Sequence, residues 1–342
     1  MSLPATIQAI TIAKTGGVEV IEKTEQPFPQ VKPGDIVIKV EYAGVNFIDT
    51  YNRSGIYPIQ NFPATLGKET AGIIVALPTD ENVLNDETYK KMRFHIGSKA
   101  AANSSGIHAT YISVPWKAVC PVPESLSTLT AAASTLQGLT ALTFVEEAYS
   151  IQKNDVVLIH TVAGGLGLLL CQLAKLRGAT VIGTTSTEEK KKLAFENGAD
   201  HVILYRQEDT VARVLEITNG DGVHAVFDGV GKDTFDNNFK LIRRKGTIVS
   251  LGNASGPVPP FSPLKLGEKN VKLLRPVMFN YVYTPEEAYY YGTKLFNLIS
   301  KGLLKVLIHK EYPFTAEGVQ QAHRDLAGGT TTGKLVIKVA SD

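Results

Sequence analysis

Apolar and polar positions alternate in short runs over the first part of the chain. Examples are Ile7–Ala13 (IQAITIA), Asp35–Val45 (DIVIKVEYAGV), Thr70–Ala76 (TAGIIVA), His108–Val114 (HATYISV) and Ala118–Pro123 (AVCPVP). A period of two, interrupted by Pro and Gly, predicts strands with one face buried, and so a β-rich barrel or sandwich to about residue 128. From residue 129 the runs lengthen, beginning with TLTAAASTLQGLTALTFVEEA, which predicts a helix.

A regular alternation follows. The strand-like runs DVVLIH, ATVIGT, HVILY, VHAVFD and TIVSLG are separated by a glycine-led apolar helix and by EEKKKLAFENG, EDTVARVLEITNG and TFDNNFKLIRRKG. That order predicts a parallel sheet covered by helices on both faces. Further on come a strand-like NVKLLRPVMF, a helical PEEAYYYGTKLFNLISKG and a last strand GKLVIKVA. The polar stretch LPTDENVLNDETYKKMRF predicts a surface excursion of the first domain. The fold class is α/β with two domains, as 342 residues would suggest.

Composition narrows this picture by exclusion. With 44% hydrophobic and 20% charged residues the chain reads as a soluble α/β protein. A net charge of +2, with lysines scattered, calls for no nucleic-acid or membrane partner. Only Cys120 and Cys171 are present, too few for a disulfide framework or a thiol-rich zinc site, so a reducing compartment is expected, the cytoplasm or also the nucleus. No apolar run approaches the ~18–20 residues of a membrane span.

The stretch VLIHTVAGGLGLLLCQLAK carries the candidate chemistry. A strand ends at His160, then come Gly164, Gly165 and Gly167, then an apolar helix closed by Gly178. Two readings stay open: a tight turn with small residues for packing, or a phosphate site at a helix N-terminus, where unpaired N–H groups and the dipole favour an anion. The spacing is Thr161-x-x-Gly164-x-x-Gly167, a relaxed form of the dinucleotide fingerprint. An NAD site carries an acid about twenty residues on, to bind the ribose hydroxyls. Here that position is Thr184, followed by Thr185, Ser186, Thr187 and Lys190. Hydroxyls and an ammonium suit a 2′-phosphate, so NADPH is expected over NADH. Ser186 and Glu189 also form a capping-box pattern, with Lys190–Lys192 as a solvated helix face, and both readings can hold together.

Several segments in order, GVNFIDTYNRSGIYP, LGKETAG, LQGLTAL, VAGGLGLLLCQLAK, VIGTTSTEEK, DGVGKDTF, VSLGNASGPVPPF and TTGKLVI, span nearly the whole chain. Together they resemble the quinone oxidoreductase (zeta-crystallin-like) branch of the medium-chain dehydrogenase/reductase superfamily, close to its fungal members. The resemblance implies a GroES-like catalytic domain from residues 1–128 and 279–342, and a Rossmann domain from 129–278 inserted in it, with a cleft between them. In zinc-dependent members, a Cys and a His stand where this chain has Asn46 and Lys68. An amide is a poor zinc ligand and an ammonium repels the ion, so no metal is expected.

Without metal, what the resemblance implies is direct hydride transfer from NADPH to an electron-poor acceptor, a quinone. A close alternative is reduction of an alkenal or enone double bond. Asn46, Tyr51, Tyr57 and Arg275 are the residues implied for the acceptor side. For the cofactor the implied residues are Asn46, Thr140, Gly164, Gly165, Leu166, Gly167, Thr185, Ser186, Lys190, Tyr205, Leu251, Gly252, Asn253 and Lys334. Thr161 departs from the Ala usual in the glycine motif, and Gly97-Ser98 from a common Gly-Asp pair. Some relatives bind AU-rich RNA in competition with NADPH, which keeps RNA as a possible partner. A homodimer through edge strands of the Rossmann sheet is also implied, NVKLLRPVM being apolar enough to pair with its copy.

Overall fold

The structure, a computed structural model, describes residues 3–340. Its strands, in chain order, are β1 (Thr6–Ile12), β2 (Ile21–Pro27), β3 (Asp35–Val45), β4 (Ala64–Thr65), β5 (Glu69–Ala76), β6 (Lys99–Asn103), β7 (Tyr111–Pro115), β8 (Val119–Pro121), β9 (Val156–Ile159), β10 (Thr180–Thr185), β11 (His201–Leu204), β12 (Val223–Asp228), β13 (Ile242–Ser250), β14 (Lys272–Leu274), β15 (Ile308–Pro313) and β16 (Lys334–Lys338). The chain divides into two compact units. One takes the chain up to Leu139 and again from Val282 onward, and the other is Thr140–Tyr281.

In the first unit, a seven-stranded sheet runs β15-β16-β3-β5-β6-β8, with β7 also paired to β3, and a smaller sheet runs β2-β1-β4. Ile10 and Ile12 of β1 and Ile36, Ile38 and Val40 of β3 share one core with Leu335 and Ile337 of β16. Strand β3 is antiparallel to both β5 and β16, with Ala43 opposite Thr70 and Val45 opposite Leu335. This register brings Asn46, Glu69 and Lys334, at three strand ends far apart in sequence, to one place.

The second unit has six parallel strands in the order β11-β10-β9-β12-β13-β14. Strand β9 is central, and the strand order reverses beside it, so the crevice that binds ligands in such sheets lies at the carboxyl ends of β9 and β12. The loop after β9 is the glycine loop.

Four local expectations are corrected. The polar stretch after residue 77 folds into two short helices, Glu81–Asn85 and Glu87–Met92, because the Asp80 and Asp86 carboxylates accept their first N–H groups. Tyr89 and Met92 enter the core, Tyr89 standing edge-on to Trp116 at 5.5 Å. The helix predicted over TFDNNFKLIRRKG stops at Leu241, since β-branched Ile242 is fully buried and starts β13 opposite Val223. The N-cap ahead of the lysine run is Thr187, whose hydroxyl accepts from the Lys190 N–H at 3.3 Å, and not Ser186. Strand β15 and the capped helix Ala316–Ala327, a crossover to parallel β16, went unpredicted.

Among the described residues no helix is long and apolar enough to cross a membrane.

Candidate functional site

The glycine loop is built by close approach. Gly164 is the N-cap of the helix Gly165–Leu176, and a Cβ on Gly167 would lie 2.3 Å from the Thr161 carbonyl oxygen and 2.8 Å from the Val162 backbone. Only a hydrogen fits there, so the helix start sits hard against the strand end. Gly167→Ala is therefore expected to cost about 1–3 kcal/mol by overpacking against backbone, read as a lower urea midpoint. Gly267→Ala, with no atom within 4 Å of its Cβ, is the near-neutral control. Leu166 lies between, half-buried, on the helix's first turn.

Thr161 itself has φ 56°, left-handed and rare for a β-branched residue. It is held there by its hydroxyl donating to the His160 carbonyl at 2.6 Å and by its N–H donating to Thr184 Oγ1 at 3.3 Å. A buried polar chain supports the loop from below. His160 Nε2 lies 2.9 Å from Asn238 Oδ1, and Asn238 Nδ2 donates to Asp228 at 2.7 Å. Since the Asn238 nitrogen serves the carboxylate, its oxygen accepts, which puts the imidazole proton on Nε2 and leaves Nδ1 to accept from Thr184 Oγ1 at 3.1 Å. Asp228 Oδ1 also accepts from the N–H groups of Val230 and Gly231. Sequence reading missed this network, because it joins three strand ends that only the sheet brings together.

At the end of β10, Thr185 is buried and Ser186 half-buried, and the Tyr205 N–H donates to the Thr185 carbonyl. The Tyr205 ring is 46% exposed. Burial, and then the charge of Arg206, hold the Lys190 ammonium below its ordinary value. Two cations thus stand close together where an NAD site would place an acid. Arg206 was not among the predicted residues, although a basic residue just past a strand end was a legible signal.

The other predicted residues of this unit take a supporting place. The Leu251 N–H donates to the Asp228 carbonyl at 2.8 Å. Arg275 Nη1 donates to Ser250 Oγ at 3.1 Å and to the Gly252 carbonyl at 3.0 Å. Asn253, with its amide turned to satisfy both ends, donates to the Gly252 carbonyl and accepts from Arg275 Nη2 at 3.2 Å. Arg275 thus braces the loop Ser250–Asn253. Thr140, in the helix Thr128–Thr143, is half-buried where this unit begins.

In the first unit, Asn46 caps the helix Phe47–Ser54 and is only 5% exposed. Its Nδ2 donates to Glu69 Oε1 at 2.7 Å, and its Oδ1 accepts from Lys334 Nζ at 2.7 Å. Lys334 also pairs with Glu69, whose second oxygen accepts from the Leu136 N–H at 2.7 Å. Gly44 makes room, since a Cβ there would lie 2.3 Å from Glu69 Oε1. Lys334 and Glu69 are both fully buried. The residues present do not fit a divalent ion: the amide and carboxylate that could serve it already hold an ammonium, and Lys68 adds a second cation. Lys68 Nζ donates to Ser105 Oγ at 2.6 Å, and desolvation lowers its pKa.

Tyr51, on the same helix, is buried, and its ring meets Tyr57 edge-on at 5.3 Å. Glu69 and Asp49 were missed by sequence reading. Asp49 is 1% exposed, its Oδ2 accepting from the Asn46 N–H at 2.8 Å. Desolvation raises its pKa to about 7, against the pull of that N–H and of Lys334.

Two families match this chain in sequence. Residues 32–124 match the alcohol dehydrogenase GroES-like domain, and residues 165–292 the zinc-binding dehydrogenases. A probable quinone oxidoreductase of Schizosaccharomyces pombe is 37% identical over 337 residues, covering 97% of each chain. The structure of Escherichia coli quinone oxidoreductase complexed with NADPH superimposes with a TM-score of 0.90 at 34% identity, covering 97% of this chain and 99% of that one. A mycobacterial protein solved with NADPH superimposes with the same TM-score at 37% identity and the same coverage.

Proposed function

The chain belongs to the quinone oxidoreductase branch of the medium-chain dehydrogenase/reductase superfamily, and from that premise we propose that it is an NADPH:quinone oxidoreductase working without zinc. The observation that carries the cofactor choice is the Lys190–Arg206 pair beside Thr185 and Ser186. Two neighbouring cations make a site that favours a dianion, and a 2′-phosphate is one.

NADPH, when bound, supplies a hydride; the protein supplies position and electrostatics. The backbone of Gly164–Gly167 takes the pyrophosphate, Tyr205 covers the adenosine end, and Leu251, Gly252 and Asn253, braced by Arg275, form the edge toward the nicotinamide. Thr140 adds a hydroxyl. On the acceptor side, Tyr51 and Tyr57 supply aromatic and hydroxyl contacts. Asn46, with both amide ends engaged internally, organises that side together with Lys334 and Glu69.

The test is calorimetric titration with NADPH and NADH, then oxidation of the bound nucleotide on adding 9,10-phenanthrenequinone or a benzoquinone. Lys190→Ala and Arg206→Ala should each weaken NADPH binding about tenfold, as loss of a charge-assisted hydrogen bond implies, and leave NADH within about twofold. Equal losses for both nucleotides would remove the phosphate reading.

Assembly is part of the same proposal. Strand β14 is an edge of the parallel sheet, and a copy can pair with it about a two-fold axis to give a homodimer. Sedimentation equilibrium checks it, a monomer at micromolar concentration being the contrary result.

A further inference from the structure

One face of the helix Phe47–Ser54 carries Asp49 and, a turn later, Arg53, and this helix packs on the helix Ala316–Ala327, which holds His323. Asp49 Oδ1, Arg53 Nε and Nη1, His108 Nδ1 and both nitrogens of His323 are buried without a hydrogen-bond partner. His108 and His323 are fully buried, and His108 Nε2 donates to the Gly44 carbonyl at 3.1 Å, which leaves Nδ1 as an acceptor. The electrostatic couplings link these groups: His323 feels Arg53 and His108, His108 feels Glu69 and Lys334, and Asp49 feels Lys334, Glu69 and Lys68. Arg53 feels Glu19 in turn.

Orphaned donors and acceptors thus occur together among these groups. Isolated orphans are rare in native proteins, and a set with both kinds is what bridging water satisfies. We propose that Asp49 stores the proton that the reduced acceptor takes up, and that Arg53, His108 and His323 line a buried, water-filled path that reloads it.

The inference rests on the quinone reductase reading, in which hydride and its electron pair leave NADPH and a reduced quinone oxygen needs a proton. Relayed through water, that proton comes from the Asp49 carboxylic acid: an O–H bond forms on the acceptor as the Asp49 O–H bond breaks. The carboxylate then takes a proton from bulk solvent along the path. Asp49, with its acidity set near neutrality by desolvation, can both hold and release a proton at the pH of a reducing compartment.

Infrared difference spectra of the purified protein without added nucleotide, wild type against Asp49→Asn, test the store. The expected result is a carbonyl band of a buried protonated acid that is absent from the variant and titrates at about pH 7. Absence of such a band overturns the proposal. In turnover, Asp49→Asn should lower kcat about a hundredfold, flatten its pH profile and leave NADPH affinity unchanged. Wild-type kcat and pH profile in the variant overturn the relay and leave the reductase reading intact. A titrating band in a protein that reduces no quinone does the reverse.

His323→Leu tests the path even if the Asp49 variant fails to fold. Water-bonded imidazole nitrogens predict a lower Tm and a larger solvent deuterium isotope effect on kcat. A higher Tm means the nitrogens are dry, and overturns the path.

Discussion

Lys334→Met should destabilise the protein by about 3–5 kcal/mol, because it removes the cation from a fully buried ion pair and leaves the Glu69 charge uncompensated. The side-chain amide of Asn46 and the Leu136 N–H would remain on Glu69, but neither carries a full charge. The double variant Lys334→Met with Glu69→Gln should recover most of the loss, since a neutral amide needs no cation: its oxygen can accept from the Leu136 N–H, and its NH2 can donate to Asn46 Oδ1, freed by the loss of Lys334, once the Asn46 amide turns over. Denaturant unfolding of the wild type, the two single variants and the double variant measures the coupling. A single variant within about 1 kcal/mol of wild type would mean that the pair contributes no more than a surface pair does. Because Lys334 also pulls the Asp49 pKa down, its removal should raise the Asp49 titration above pH 7.

Acidification should weaken the fold steadily between about pH 6.5 and 4. Desolvation holds His108 down to about 4 and His323 to about 3, from an ordinary 6.5. Below pH 6.5 the unfolded chain therefore binds two protons that the folded chain refuses, so the stability these histidines contribute is present above 6.5 and lost as pH falls through their folded values. Asp49 acts the other way. Its folded value of about 7 lies above the ordinary 3.8, so the folded chain binds one extra proton between those limits, and its contribution declines as pH rises through 7. The balance is one proton, a slope of about 1.4 kcal/mol per pH unit, or about 3 kcal/mol from pH 6.5 to 4. Asp49→Asn removes the opposing term and should double the slope. A few bound waters do not replace bulk solvation of an imidazolium, so the depression survives a hydrated path. Urea midpoints at half-unit pH steps read both slopes, and a flat profile would mean that neither imidazole is held below its ordinary value in the fold.

The parts of this fold that were legible are those whose signal is local. The alternation in β1, β3 and β5, and the strand–helix repetition from β9 to β13, are visible because each segment's burial follows its own periodicity. Strand β2 (IEKTEQP) and strand β15 (IHKEYP) were not, because they are largely exposed edges whose residues are mostly polar. Tertiary pairing makes them strands. At the candidate site the glycine loop and the hydroxyl-lined end of β10 could be read from spacing. The partners of Asn46 could not, because Glu69 and Lys334 are brought to it by the register of three strands. The stretch that holds Tyr89 and Met92 reads as a surface excursion because it is polar, yet two aspartate caps turn it into helix and send one face inward.

The pairing of β3 with β16 also sets an order of events on the ribosome. Glu69 and Lys334 are 265 residues apart, so at roughly 5–20 residues per second the carboxylate waits on the order of tens of seconds for its ammonium. The parallel-sheet unit Thr140–Tyr281 is fully synthesised within that interval and can fold first. Strands β3, β5, β6, β7 and β8 can pair among themselves meanwhile, but the free edge of β3 is covered only when β16 emerges. Emergence of β16, rather than synthesis of the first strands, is then the moment at which the buried Asn46–Glu69–Lys334 cluster comes into existence.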